Sequence, residues 1–131
     1  MIGKRIDAQQ YTVRLKATIQ STGKLGFTYD TMEMLKLTPE CSVYLNLDDS
    51  NKRVMYMGVL HERKEDAFPV LSAGKYVYLN TRQLFETLNI DFTNNVNIFD
   101  LTRFEEGDEV MEGECYKMVR RDRPRTSEDK D

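Results

Sequence analysis

The sequence predicts a mainly β chain with two short helices (α+β), folded as one pseudo-two-fold β-barrel. Three observations predict it. Short runs alternate apolar and polar residues with the period of half-buried strands. The order of elements reads β-β-α-β-β and then repeats, and a repeat decides architecture before any other feature. Each half spans only about 50 residues, too few to bury a core alone, whereas two halves interleaved into a closed barrel leave no strand edge exposed. The chain has 131 residues, 40% apolar and 31% charged, which suits one such core.

Residues 1–10 are mixed and read as a lead-in. From Tyr11 the alternation begins, with Val13, Leu15, Ala17 and Ile19 on one face and Thr12, Arg14, Lys16, Thr18 and Gln20 on the other. Ser21-Thr22-Gly23-Lys24 is a turn whose glycine supplies positive φ, and Leu25 to Tyr29 forms the second strand. Asp30 or Thr31 stands at a helix N-cap, with Met32 and Leu35 as the apolar stripe of a helix ending near Leu37. Thr38-Pro39-Glu40 stops it, since proline lacks the N–H that the ladder needs. Ser42 to Leu47 is a strand, Asp48-Asp49-Ser50-Asn51 a turn, and Lys52 to Leu60 the strand that completes a first unit over residues 11–60.

The charged run His61-Glu62-Arg63-Lys64-Glu65-Asp66 is a linker, residues 61–66, and the second unit covers 67–119. Within it Ala67 to Leu71 is a strand, Ser72-Ala73-Gly74-Lys75 a turn and Tyr76 to Leu79 a strand. Asn80 or Thr81 caps a helix running to about Leu88, Val96 to Leu101 is a strand, and Val110 to Val119 is the last one. Residues 120–131 are polar, carry Pro124 and read as a disordered tail, the alternative being that Lys117 to Arg125 form a basic arm tracking nucleic-acid backbone. The repeat shows in letters too. Ser21-Thr22-Gly23-Lys24 matches Ser72-Ala73-Gly74-Lys75 at an offset of 51. Leu35-Lys36-Leu37 and Val43-Tyr44-Leu45 match Leu88-Asn89-Ile90 and Val96-Asn97-Ile98 at an offset of 53.

Several function classes lose support. The net charge is −3, unlike a strongly basic nucleic-acid binder, although residues 117–131 carry +2 and the remainder −5. Cys41 and Cys115 make no disulfide framework, read as ordinary half-buried thiols, and with the single His61 give no zinc spacing. Glu105, Glu106, Asp108, Glu109, Glu112 and Glu114 lack the alternation of a calcium loop and read as a solvated turn and strand face; functionally, such a face suits a basic protein partner. No nucleophile or carboxylate motif surrounds His61, and no glycine-rich phosphate loop occurs, so the expectation is a non-enzyme with no metal or cofactor. No apolar run spans a bilayer and the start has no secretory h-region, which predicts a cytoplasmic protein with no membrane partner.

The stretch from Thr18 to Phe27, the short helix, Leu35-Lys36-Leu37-Thr38-Pro39-Glu40-Cys41 and Ser42-Val43-Tyr44-Leu45 together resemble the swapped-hairpin AbrB-type family. Two such units in tandem resemble its AbrB/MraZ-like members. The likeness covers residues 11–60 well and 67–119 more loosely, and the spacing from Gly23 to Leu35 fits without a gap. It implies a swapped-hairpin barrel and a small transcription regulator that binds double-stranded DNA, as a monomeric pseudo-dimer or a homo-oligomer. Lys24 stands at the family's Gly-Arg position, with Lys75 its counterpart; Arg14 and Lys16 lie beside that hairpin, and Arg82 keeps a positive charge on the second helix. The family's helix arginines fall on Met32 and Glu33, its proline on Thr28 and its helix-ending glycine on Lys36.

The DNA-binding set that the resemblance implies is Arg14, Lys16, Lys24, Lys75 and Arg82, whose phosphate contacts would give salt-sensitive affinity; on composition alone the five read as scattered solvated charge on a barrel. Phe27, Tyr29, Tyr76 and Tyr78 in the matched second strands are either core or a stacking platform for single-stranded nucleic acid. The alternative reading is a non-catalytic protein-interaction module on the same barrel.

Overall fold

A computed structural model describes residues 1–8 and 14–129 of the chain. The start expected for the first strand, Tyr11 to Val13, and the last two residues lie outside the described residues. Among the described residues nine strands form one antiparallel sheet. They are β1 (Leu15–Ile19), β2 (Leu25–Phe27), β3 (Ser42–Leu47), β4 (Val54–Leu60), β5 (Phe68–Pro69), β6 (Leu71–Ala73), β7 (Tyr76–Leu79), β8 (Asn95–Arg103) and β9 (Glu114–Pro124). Among the described residues there are also two helices, α1 (Tyr29–Leu35) and α2 (Arg82–Thr87), and a short 3-10 helix (Glu105–Glu109).

The strand order is β5-β3-β4-β9-β8-β1-β2-β7-β6. Its two end strands, β5 and β6, follow one another in the chain with only Val70 between them, so the sheet curls back on itself into a nearly closed barrel. Pro69 explains the break: it has no N–H to carry the ladder through, and the sheet resumes on the other side of the bend. Val70 is fully buried at that bend and donates its N–H to the Cys41 carbonyl at 3.1 Å.

The units interleave. β1 pairs with β2 of its own unit and with β8 of the other, while the bent segment of β5 and β6 pairs with β7 of its own unit and with β3 of the other. The two halves also meet directly, β2 against β7 and β4 against β9. The charged segment 61–66 is accordingly no spacer between independent bodies. Ser42 Oγ donates to the Glu62 carbonyl at 2.6 Å, Arg63 Nε to the Pro39 carbonyl at 2.8 Å, and Tyr44 Oη to Asp66 at 2.6 Å.

Alternation decides what faces inward. Leu15, Ala17 and Ile19 point in from β1, Leu25 and Phe27 from β2, Val77 and Leu79 from β7, and Phe99 and Leu101 from β8. Leu35 of α1 and Phe85 of α2 enter the same core, with Phe85 stacking on Phe99 at 6.3 Å between ring centroids.

Both helices end alike. Lys36 adopts φ +55 and Asn89 φ +57, the left-handed conformation that closes a helix. Leu37 N–H reaches back to Met32 and Ile90 N–H to Phe85, each at 3.0 Å. These pairs stand at the 53-residue offset read from the sequence, so the repeat is geometric as well as literal.

Four expectations need correction. Thr28, not Asp30 or Thr31, caps α1: its hydroxyl accepts the Thr31 N–H at 3.4 Å. The Thr31 hydroxyl is instead buried and accepts the Lys16 N–H at 2.7 Å, tying the helix to β1. Residues 110–113 are not strand, and β9 runs from Glu114 past Val119 to Pro124. The first part of the tail expected to be disordered, Arg120 to Pro124, is thus ladder, because β8 is nine residues long and offers partners up to Asn95, opposite Pro124. Beyond it, Arg123 forks onto Asp129 at 2.7 and 3.0 Å. Finally, Cys41 and Cys115 are not half-buried but fully buried free thiols, each 1% exposed.

Candidate nucleic-acid interface

The β1–β2 turn is closed by Gly23 N–H on the Gln20 carbonyl and Gln20 N–H on the Lys24 carbonyl, both at 2.8 Å. Gly23 has φ +89, and a Cβ there would stand 2.8–3.0 Å from Cγ, Cβ and Cα of Arg82. Glycine is therefore required twice, for the backbone conformation and for the close approach. Thr81 Oγ1 fixes the approach by donating to the Gly23 carbonyl at 3.0 Å. Lys24 and Arg82, distant in sequence, thus share one rim of the barrel.

At this rim the Lys24 ammonium lies 4.8 Å from the centroid of the Tyr78 ring, and Arg82 Nε pairs with Glu86 at 2.7 Å along the helix. Tyr78 and Tyr76 point outward with ring centroids 5.7 Å apart, Tyr76 being 39% exposed. Phe27, by contrast, is core, and Tyr29 is exposed on α1. Arg14 and Lys16 continue the polar face of β1, alternating with buried Leu15 and Ala17. Lys75 does not join this group. The register sets Leu25 beside Leu79 and Gly26 beside Tyr78, so Lys24 and Lys75 lie beyond opposite ends of the β2–β7 pairing. The turn of Lys75 is also looser, since a Cβ at Gly74 would meet nothing within 4 Å.

Part of the cationic surface lies outside the five residues that the sequence singled out. With β9 extended, Lys117 and Arg121 alternate with buried Tyr116 and Met118 and point outward beside β8. Thr18, Ile98 and Arg121 stand side by side across three strands, as do Lys16, Asp100 and Val119. Arg121 Nε pairs with Asp100 at 2.8 Å. The alternation Tyr116-Lys117-Met118-Val119 carried the signal, but the arginines after it resembled a solvated tail.

The acidic residues gather elsewhere. A cleft of about 1000 Å³ between α1 and the β8–β9 end is lined by Asp7, Asp30, Glu33 and Glu114 together with Lys36, His61 and Arg103, over Leu15, Leu35, Leu101 and Tyr116. Nearby, Arg103 forks onto Asp108 at 2.6 and 2.8 Å, and Asp108 also accepts the Cys115 N–H at 2.8 Å. These donors hold the Asp108 carboxyl down at about 2. Burial pushes the Cys115 thiol and, beside Glu114, the Tyr116 phenol up. Cys41 Sγ lies 3.4 Å from His61 Nδ1, a proximity no local motif announced, and it also donates to the Lys36 carbonyl at 3.5 Å. Among the described residues no group of three or more His, Cys, Asp or Glu side chains forms a metal site, and no helix is long and apolar enough to cross a membrane.

No family model, no curated protein and no solved structure matches the chain.

Proposed function

We propose that the protein is a small DNA-binding regulator of the AbrB/MraZ-like type. The observation that carries this reading is the rim where the Gly23 turn, next to Lys24 of the first hairpin, rests against Arg82 of the second helix and is held there by Thr81. A second observation supports the likeness to the family. Lys36, at the position where that family carries glycine, has the left-handed backbone glycine favours, and Asn89 repeats it. Arg14 and Lys16 extend the rim down the outer face of β1, and Lys75 adds a cation at the far end of β7. The chemistry is phosphate neutralisation with counterion release.

A titration of random-sequence duplex DNA at low and at physiological salt tests the reading. Each phosphate neutralised contributes about −0.9 to the slope of log K against log salt, so engagement of all five cations predicts a slope of about −4.5. Lys24→Glu with Lys75→Glu is expected to abolish measurable binding while the far-ultraviolet spectrum stays unchanged. Duplex binding that survives the double change sinks the site. A protein-interaction module on the same barrel is the second reading, favoured by the cleft's four carboxylates Asp7, Asp30, Glu33 and Glu114, which suit a basic partner. Absence of DNA binding even at low salt, where attraction is least screened, selects it.

A further inference from the structure

We infer that the outer sheet face spanning β9, β8, β1, β2 and β7 takes single-stranded nucleic acid, with unpaired bases stacking on Tyr76 and Tyr78. The inference rests on the nucleic-acid reading and names the form of the ligand. Register places the strands in the order β9-β8-β1-β2-β7, so the outward residues of all five form one surface. Lys117 and Arg121 stand at one side, Lys16 in the middle and Lys24 beside the tyrosines at the other. A chain whose net charge is −3 thus sets Lys16, Lys24, Lys117 and Arg121 on this face against the Asp100 carboxylate, which pairs with Arg121, and four strand spacings give it a width of about 19 Å. That is a track for a short stretch of phosphodiester backbone rather than a single anion site.

The tyrosines decide between paired and unpaired ligands. Duplex bases already stack on each other and offer a protein only their edges, whereas unpaired bases offer a flat face to any aromatic ring. Tyr76 and Tyr78 lie on the convex outside of the barrel, contributing nothing to its core, with centroids 5.7 Å apart. Tyr78 has Gly26, with the Gln20 amide lying over it, as its neighbour on β2 and Leu71 as its neighbour on β6, so its ring is bordered on both sides and open outward. The Lys24 ammonium lies 4.8 Å from that ring, and a base arriving there moves it sideways onto the adjoining phosphate. Base stacking tolerates sequence, so the preference expected is for unpaired over paired strands rather than for a particular order of bases.

The test uses the full chain and a fluorescein-labelled oligothymidylate of about twelve nucleotides, within the range one such sheet covers. Its affinity is followed by anisotropy and by quenching of intrinsic tyrosine emission, which is readable because the chain has no tryptophan. Tyr76→Ala with Tyr78→Ala is expected to weaken binding roughly ten- to several-hundredfold, while Tyr76→Phe with Tyr78→Phe keeps it within a few-fold, since stacking needs the ring and not the hydroxyl. Random duplex DNA of equal length is titrated in parallel. Oligothymidylate binding that does not depend on the rings overturns the inference. So does duplex binding without oligothymidylate binding, although the regulator reading then stands. Failure of both ligands at low salt removes both readings together.

Discussion

Thr81 donates its hydroxyl to the Gly23 carbonyl at 3.0 Å, across 58 residues of sequence and inside the barrel wall. The same hydroxyl lies 3.4 Å from the Leu79 carbonyl, and Thr81 is 1% exposed. A residue at a helix N-terminus would ordinarily turn its oxygen toward the helix, yet Thr81 makes no cap bond of that kind. It spends its donor on the other unit's turn, which is how the first hairpin comes to rest on the second helix.

Replacing Thr81 with valine keeps the shape and removes the donor. The buried Gly23 carbonyl is then left without it, and the expected loss is about 1–3 kcal/mol in a urea unfolding curve. Thr81→Ser keeps the hydroxyl and should lose less than Thr81→Val. Equal losses in the two variants would mean that the methyl group, not the hydrogen bond, matters there.

Lys36 offers the opposite case, a substitution that should stabilise. Its φ of +55 puts a Cβ in a conformation that costs roughly 1–2 kcal/mol for an L residue. Glycine removes that strain and pays back part of the gain in unfolded-chain entropy. Lys36→Gly is therefore expected to raise stability by about 0.5–1 kcal/mol, read from the midpoint of urea unfolding with the slope unchanged. A lower midpoint would show that the Lys36 side chain, which lines the acidic cleft, contributes more than its backbone costs.

Acid should loosen the fold through Asp108. Its carboxyl is held at about 2 by the Arg103 fork and by the Cys115 N–H, below the ordinary value of about 3.9. A depressed folded-state value means that the ionised form stabilises: the contribution is complete above about pH 4 and disappears as pH falls through about 2. Asp48, Asp91 and Asp129 are lowered as well and act in the same direction. Thermal melts between pH 7 and pH 2 should show Asp108→Asn melting below the natural protein at neutral pH, with the gap narrowing in acid. A gap that stays constant across this range would rule out the Asp108 charge as its source.

Much of the fold was legible because it is written locally. The alternation of Leu15, Ala17 and Ile19 with Lys16 and Thr18 sets both a strand and its inward face, and the structure keeps that face buried. The 53-residue match of Leu35-Lys36-Leu37 to Leu88-Asn89-Ile90 marked two helix ends that share one geometry. Legibility failed where a residue answers to a distant partner. Thr31 resembles a cap by its neighbours, yet its hydroxyl belongs to Lys16 of β1. Arg120 to Pro124 resembles a tail by composition, yet β8 supplies the backbone partners that make it strand.

The candidate site divides along the same line. The sequence by itself determined which residues carry charge, which of them alternate outward from a strand, and where glycine permits a tight turn, because these depend on residue type and on a period of two. Only the tertiary structure decided that the Gly23 turn beside Lys24 rests on Arg82, that Lys75 lies at the other end of the β2–β7 pairing, and that β9 lays Arg121 on the face that holds Lys16. Strand pairing is a choice among distant partners, made by closing the barrel around Ile19, Phe85, Phe99 and Met118, and no local pattern of side chains encodes it.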